Sequence, residues 1–504
     1  MATTTFAAID VGSSELSMKI YELSKQRGIR ELTHVRHEIA LGAETYTKGV
    51  ISYHTIEEIC LMLNNFKRTM SEFGTASSLA YATSALREAG NSLVILDQIK
   101  IQTGFDVRVL SNSEARFLSF KAMTLREPAL EKLLDEQTLV IDIGAGSVQL
   151  SFFNEGKLHF TQNLLLGSAR IRELLDALRE EAYDFQDLID EYIERDLTYF
   201  INQNLIPVSI RHIIAVGQMI PEIYEYARKN HSNFNGTFPI KWISKNKLIK
   251  DLSGAQAQLL LPTLLLCRKT SQLTGCDDIH LSGINLCDGI VAEYAEKKLH
   301  ITSRHDFIED ILSASFSLAD KYHVAREHIE NVQTLALQIF DKIRKLHGLG
   351  KRERLLLQLG VILHSCGSYI SETHSRECSY QIIMSTEIIG ISHKERAMVA
   401  NMVRYDQSSF PRYEELGEDF TKEEYITIVK LNAILKTANV LDKSNRQKIK
   451  KVGVTLHDDI LTITADTMAD ITLEKGLFHY KADVFEEVFG IRPQLRQKRS
   501  GKRG

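Results

Sequence analysis

A chain of 504 residues is too long for one hydrophobic core and implies three or four domains. Its formal net charge of −4, with 44% apolar and 25% charged residues, is that of an ordinary globular protein; it excludes the global basic field that would hold nucleic acid. Six cysteines, none in a C-x-x-C pair, leave no zinc-ribbon or thioredoxin-like site.

The first residues, Met-Ala-Thr-Thr-Thr, put no basic region before the first apolar stretch, so no signal peptide is expected. The most apolar run, 257–267, contains Gln258 and Pro262 and is too short to span a bilayer. These features predict a reduced, cytoplasmic protein with no membrane contact.

Residues 6–10 read as a buried strand, and Leu16, Met18 and Ile20 alternate with polar neighbours as a second. The turn Asp10-Val11-Gly12-Ser13-Ser14 lies between them. The same design recurs at 138–153, where one strand enters Asp142-Ile143-Gly144-Ala145-Gly146-Ser147 and another leaves it. Two such halves facing each other across a cleft make a duplicated, two-lobed α/β arrangement. Further strand-then-turn units are predicted at 212–220, with Gly217, and at 279–289, with Gly283 and Gly289. Helical periodicity dominates 160–205 and 254–272.

From about 306 the pattern changes to long helices, with Val332, Leu335, Ala336, Ile339, Phe340 and Ile343 at helical spacing. Residues 449–475 suggest a small strand pair, followed by a helix near 481–489. The expected domains are a first lobe at 1–127, a second at 128–303, an all-α domain at 304–447 and a small α+β domain at 448–504. The tail carries Arg492, Arg496, Lys498, Arg499, Lys502 and Arg503; it reads as a solvated end or as a contact for a polyanion.

The two turns have the parts that phosphate needs. Glycine lets backbone N–H groups approach anionic oxygens, serine adds a hydroxyl donor, and an aspartate just before the glycine can hold a divalent metal. One Asp-x-Gly turn is equally an Asx-turn at a strand end; two copies, each between strands and each followed by Ser, point to a shared phosphate site. The candidate phosphate contacts are Gly12, Ser13, Ser14, Gly144, Ala145, Gly146 and Ser147, with Gly217 added from the third turn, and the candidate metal ligands are Asp10 and Asp142. Arg87, just past Thr83-Ser84, offers a planar donor fork or is a surface arginine. In Leu110-Ser111-Asn112-Ser113-Glu114-Ala115-Arg116 a helix starts, capped by Ser111 or Ser113; Glu114 in its first turn favours the helix dipole.

These segments, "AAIDVGSSELSMKI", "ATSALREAGN", "VLSNSEARFLSFKAM", "LVIDIGAGSVQLSFF" and "LSGINLCDGIV", together with "LGVILHSCGSYIS" and "ILKTANVLDKS" further on, resemble the exopolyphosphatase/guanosine pentaphosphate phosphatase family along nearly the whole chain. The resemblance implies an actin/sugar-kinase-like fold in the first two domains and an HD-like helical domain after them. It implies hydrolysis of the terminal phosphoanhydride of inorganic polyphosphate, or of the 5′-phosphate of guanosine pentaphosphate, with a divalent metal (magnesium, with manganese as the alternative). It makes Arg87 a phosphate contact and places a catalytic glutamate in 111–116. The family usually has two glutamates before Ala-Arg, the second being the base. This chain has one, so the base is Glu114 in one alignment and the position falls on Ala115 in the other. Gln149 stands for a metal-facing glutamate, and Glu15 adds negative charge beside the first turn. In the helical domain His364 remains, but Ser365, Cys378, Asp406 and Asn439 replace the usual metal ligands, so no metal site is expected there and a covering role or a homodimer contact is.

Three functions follow. The first is an exopolyphosphatase-like hydrolase, slowed by the departures. The second is a polyphosphate or guanosine-polyphosphate sensor on the same fold. The third is a small-molecule kinase of the actin-like superfamily, for which the segment from Ser282-Gly283 to Asp288-Gly289 is a candidate adenosine-pocket remnant.

Overall fold

The computed structural model describes residues 3–176, 178–179, 181–204, 209–230, 234–239, 255–301, 305–406, 410–416, 419–457 and 460–498. The chain divides into two compact units, Met1–Asp310 and Ile311–Gly504.

The first unit is built twice on one plan. β1 (Thr4–Val11), β2 (Glu15–Ser24) and β3 (Gly28–Glu38) run antiparallel; β4 (Ser77–Ala82) and β5 (Val107–Val109) then add in parallel on the other side of β1, giving the order β3-β2-β1-β4-β5. In the second lobe β6 (Thr138–Ile143), β7 (Val148–Asn154) and β8 (Lys157–Leu164) repeat the antiparallel trio. β9 (His212–Gly217) and β11 (Asp278–Leu281) repeat the parallel pair, and β10 (Thr237–Pro239) is added at the edge. This is the actin/sugar-kinase-like two-lobed fold, and each lobe has its own apolar core. Ala7, Ile9, Val11 and Leu16 lie in the first, and Leu139, Ile141, Ile143 and Val148 in the second. Burial on both faces explains why β1 and β6 read as continuous apolar runs rather than alternating ones.

Several elements differ from the sequence reading. β3 was not expected; it is rich in charged residues because most of its side chains stay partly exposed beside the sheet's edge. β8 occupies the start of the stretch read as helical; the helices there are Ser168–Asp176 and Phe185–Asn204. Gly289 lies inside the Leu286–Leu299 helix, not in a turn.

In the second unit, the helices Arg326–Lys342, Lys351–Leu363, Ser375–Ser385, His393–Arg404 and Lys422–Val440 enclose one apolar core. β12 (Val452–His457), β13 (Ile460–Asp466) and the Thr472–Phe489 helix contribute Val454, Ile463 and Phe485 to that same core. The basic tail is not a loose end as far as Lys498: β14 (Pro493–Lys498) pairs in parallel with β13, with Arg496 and Lys498 exposed. Arg499, Lys502 and Arg503 lie outside the described residues. His364 is buried; its Nδ1 lies 2.7 Å from Val361 O and its Nε2 3.4 Å from Nε2 of His328, whose Nδ1 is 2.8 Å from Asp442. Asp406 accepts a hydrogen bond from Asn439 at 2.9 Å and pairs with Arg376 at 3.3 Å. Among the described residues no helix is long and apolar enough to cross a membrane.

Candidate functional site

The strands β1 and β4 of one lobe and β6 and β9 of the other end at a cleft of about 890 Å³, onto which both Asp-x-Gly turns open. Ligands of open α/β sheets bind at such carboxyl ends of parallel strands.

The second turn shows how backbone becomes an anion site. Its carbonyls are tied back: Gly144 O accepts from the N–H of Ser168, Ala145 O from those of Ala169 and Arg170, and Gly146 O from Arg170 Nε at 2.8 Å. In a planar trans peptide the N–H points opposite to the C=O. The N–H groups of Ala145, Gly146 and Ser147 therefore point away from the Ser168–Asp176 helix that holds the carbonyls, and no protein group accepts from them among the described residues. All three residues are buried and line the cleft. Unpartnered buried N–H groups are rare and costly, and consecutive ones form an anion-binding concavity. Gly167 makes the arrangement fit, since a Cβ there would lie 2.2 Å from Ala145 O and 2.3 Å from Ser147 N.

The first turn is built similarly. Gly42 N–H donates to Ser13 O at 2.7 Å and Ile39 N–H to Ser14 O at 3.0 Å, which turns the Ser14 N–H the other way. Within the first lobe Ser13 Oγ lies 3.0 Å from Ser84 Oγ and 3.1 Å from Tyr46 Oη, and the second lobe reaches this turn where Gln218 donates to Ser14 Oγ. A Cβ at Gly146 would lie 2.6 Å from that same Tyr46 Oη. Gly217 has a φ of +102°, and a Cβ there would meet Ile143 O at 2.4 Å and Asp142 Oδ1 at 2.6 Å, so only glycine fits. The structure thus brings both predicted turns, Gly217 and Arg87 to one cavity. Arg87 is held on its wall by Nη1 to Leu110 O at 2.8 Å and Nη2 to Asn112 Oδ1 at 2.6 Å.

Four expectations need correction. The N–H groups of Gly12 and Gly144 are not ligand donors, because they close their own turns onto Glu15 O (3.0 Å) and Ser147 O (2.9 Å). The Ser13 hydroxyl is engaged by Tyr46, Ser84 and the Ala85 N–H and so braces the turn. Glu114 does not line the cleft: its carboxylate accepts from the N–H and Oγ of Ser111 in a capping box and pairs with Arg108 at 3.2 Å. Asn112, Ala115 and Arg116 are the residues of that segment that line the cavity. Asp142 does not present a free carboxylate; Arg116 Nη1 holds its Oδ1 at 2.5 Å while Arg116 Nη2 donates to Ser147 O at 3.1 Å. Burial raises the Asp142 pKa, and the Arg116 charge opposes that rise.

Asp10 is different. Its Oδ1 is buried without a partner among the described residues, and desolvation, aided by the charge of Glu15, pushes its pKa up to about 8. A carboxylate without a protein cation fits a divalent metal that takes its other ligands from phosphate oxygens and water, as magnesium does. Among the described residues no group of three or more His, Cys, Asp or Glu could hold a metal by itself. Gln149 sits opposite Asp142 in the β6–β7 register and donates to Thr161 on β8 instead of lining the cleft.

Residues 20–285 match the model of the Ppx/GppA phosphatase family, and residues 313–480 match that of Ppx/GppA phosphatase domain III. The chain belongs to the Ppx/GppA phosphatase family. Among curated relatives of this Ppx/GppA chain is Exopolyphosphatase 1 of Mycobacterium leprae, 24% identical over 163 residues, 32% of this chain and 47% of that one. Another is the Bifunctional 3-dehydroquinate synthase/phosphatase of Fusobacterium nucleatum, 22% identical over 316 residues, 58% of this chain and 47% of that one. The match spans about half the length of these relatives. A solved exopolyphosphatase from Cytophaga hutchinsonii is 20% identical, covers 58% of this chain and 98% of its own, and has a TM-score of 0.49.

Sequence reasoning about this Ppx/GppA chain missed Arg116, Tyr46, Gln218 and Gly167, whose partners are distant in sequence. The segment from Ser282-Gly283 to Asp288-Gly289, a candidate adenosine-pocket remnant, lines the cleft with Gly283 to Leu286; there Gly283 N–H donates to Glu127 at 2.9 Å, and buried Asp288 binds Lys19 at 2.9 Å and also pairs with Arg126.

Proposed function

We propose that this chain is an exopolyphosphatase-type phosphatase whose cleft grips the end of inorganic polyphosphate or of a guanosine polyphosphate and releases the terminal phosphate slowly. The observation that carries this reading is the row of buried, unpartnered N–H groups at Ala145, Gly146 and Ser147. They suit phosphate oxygens, with Ser14 N–H facing from the other lobe and the Arg87 guanidinium, bonded through both Nη atoms to Leu110 O and Asn112 Oδ1, adding positive charge on the wall. Asp10 would hold magnesium, or manganese in its place, and that ion when bound offsets phosphate charge. Hydrolysis needs a water in line with the leaving anhydride oxygen, oriented by a side chain. No carboxylate of the 111–116 segment does this, because Glu114 caps its helix and Ala115 faces the cavity. Loss of a general base costs about 10²–10⁴ in rate, which leaves turnover carried by electrostatic grip and positioning.

A second reading, a polyphosphate or guanosine-polyphosphate sensor, is favoured by the same methyl group of Ala115 at the base position. Phosphate release from long-chain polyphosphate and guanosine pentaphosphate, with magnesium or manganese, decides between them. Slow release is expected, and Arg87→Ala is expected to lower it about 10²-fold. Glu114→Ala is expected to leave the rate within about threefold while costing about 1 kcal/mol of stability through the lost cap. A drop of about 10²–10⁴ in Glu114→Ala would give the carboxylate a role in the reaction after all. Tight binding with no release from the unaltered protein would leave the sensor.

A further inference from the structure

One wall of the cleft carries a charge arrangement that the phosphate grip does not use. Arg36 on β3 donates to Glu15 on β2 through Nε at 3.1 Å and Nη2 at 2.9 Å, and the same Nη2 reaches Glu222 at 2.5 Å. Glu222 lies in the first turn of the Ile220–Asn230 helix, which belongs to the second lobe, so the bridge crosses the cleft. Two carboxylates against one guanidinium leave a net charge of −1. The register sets Glu38 opposite Glu15, and Glu225 lies one helical turn from Glu222; both also line the cavity. Lys19, the nearest lysine along β2, is committed to Asp288 and Glu31. By contrast Arg87, Arg116 and Arg172 line the cavity from other elements, while the two cations of this wall, Arg36 and Lys19, are each paired with two carboxylates.

We propose that Glu15 and Glu222 hold Arg36 as a latch across the cleft and thereby set chain-length specificity, favouring short phosphoanhydrides over long polyphosphate. Two effects act together. The carboxylates occupy donors that would otherwise take a further phosphate, and their uncompensated charge repels each added phosphate within reach. A short ligand seated on the two turns presents few charges to this wall; a long chain presents more. The inference rests on the reading of the cleft as a phosphate grip.

The test is calorimetric binding of tripolyphosphate and of long-chain polyphosphate to the full chain. The proteins are the unaltered one, Glu222→Gln, Glu15→Gln and the double variant Glu222→Gln/Arg36→Met, each checked for an unchanged thermal transition. Either glutamate variant is expected to tighten long-chain polyphosphate about tenfold relative to tripolyphosphate, the worth of one charge-assisted hydrogen bond, and Arg36→Met is expected to remove the gain. Equal changes for both ligands, no change, or a gain that survives Arg36→Met overturns the latch. An unaltered protein that binds neither ligand overturns the phosphate grip itself, whereas one that binds both and does not respond at Glu15 or Glu222 overturns only the latch.

Discussion

Replacing Arg116 by methionine is expected to destabilise the protein by about 3–5 kcal/mol, the usual cost of removing one partner of a buried ion pair. Asp142 is 5% exposed, and Arg116 both neutralises it and fixes Ser147 O, so one side chain supports the carboxylate and the turn beside it. Without the guanidinium, the burial that already raises the Asp142 pKa is opposed only by a hydrogen bond from Ser119. A raised carboxyl pKa is harmless below the unfolded value, where both states are protonated, and costs stability as pH rises towards the folded value. The deficit of Arg116→Met should therefore be larger at pH 8 than at pH 5, and Arg116→Met/Asp142→Asn should recover much of it. Urea denaturation at both pH values measures this; a loss under about 1 kcal/mol at pH 8 would mean that the pair is a surface-type bridge.

Asp10→Asn is expected to act in the opposite direction. Burial, with the charge of Glu15, pushes the Asp10 pKa up to about 8 from its ordinary value of 3.8. Its protonated form stabilises the fold fully below about pH 4, and that contribution is lost as pH rises through about 8, with a slope of up to about 1.4 kcal/mol per pH unit between them. Asparagine does not titrate, so without divalent cations the variant should melt higher than the unaltered protein at pH 8 and nearly with it at pH 4. Magnesium should raise the melting temperature of the unaltered protein at pH 8 and leave Asp10→Asn unmoved. Coincident melting curves across this range, with and without magnesium, would remove Asp10 from the candidate metal site.

The parts of this site that were legible in sequence are those that local chemistry fixes. Asp10 to Ser14 and Asp142 to Ser147 stand out because a strand pair and a glycine turn are written in adjacent residues, and the duplicated sheet order follows from them. The helix start was legible too, with Ser111 or Ser113 as its cap and Glu114 in its first turn; the structure selects Ser111 and closes a capping box with Glu114. Resemblance to a catalytic segment made that glutamate a candidate base as well; only coordinates show that Ala115 faces the cleft. Arg116 could not be singled out, because its partners Asp142 and Ser147 are 26 and 31 residues away. β3 and β8 were hidden because partly exposed strands lose the alternation that marks a half-buried one. β14 was hidden by its basic residues, which point outward while Pro493 and Leu495 turn inward.

Whether the two turns grip one anion is tested most directly by tripolyphosphate binding to Gly146→Val. The new side chain would begin 2.6 Å from Tyr46 Oη and 2.9 Å from Ser84 Oγ, between the second turn and the residues that anchor the first. With a cooperative thermal transition retained, affinity is expected to fall by about 10²-fold, as when a backbone donor site is displaced. Unchanged affinity in a folded Gly146→Val protein would mean that the two turns do not share an anion.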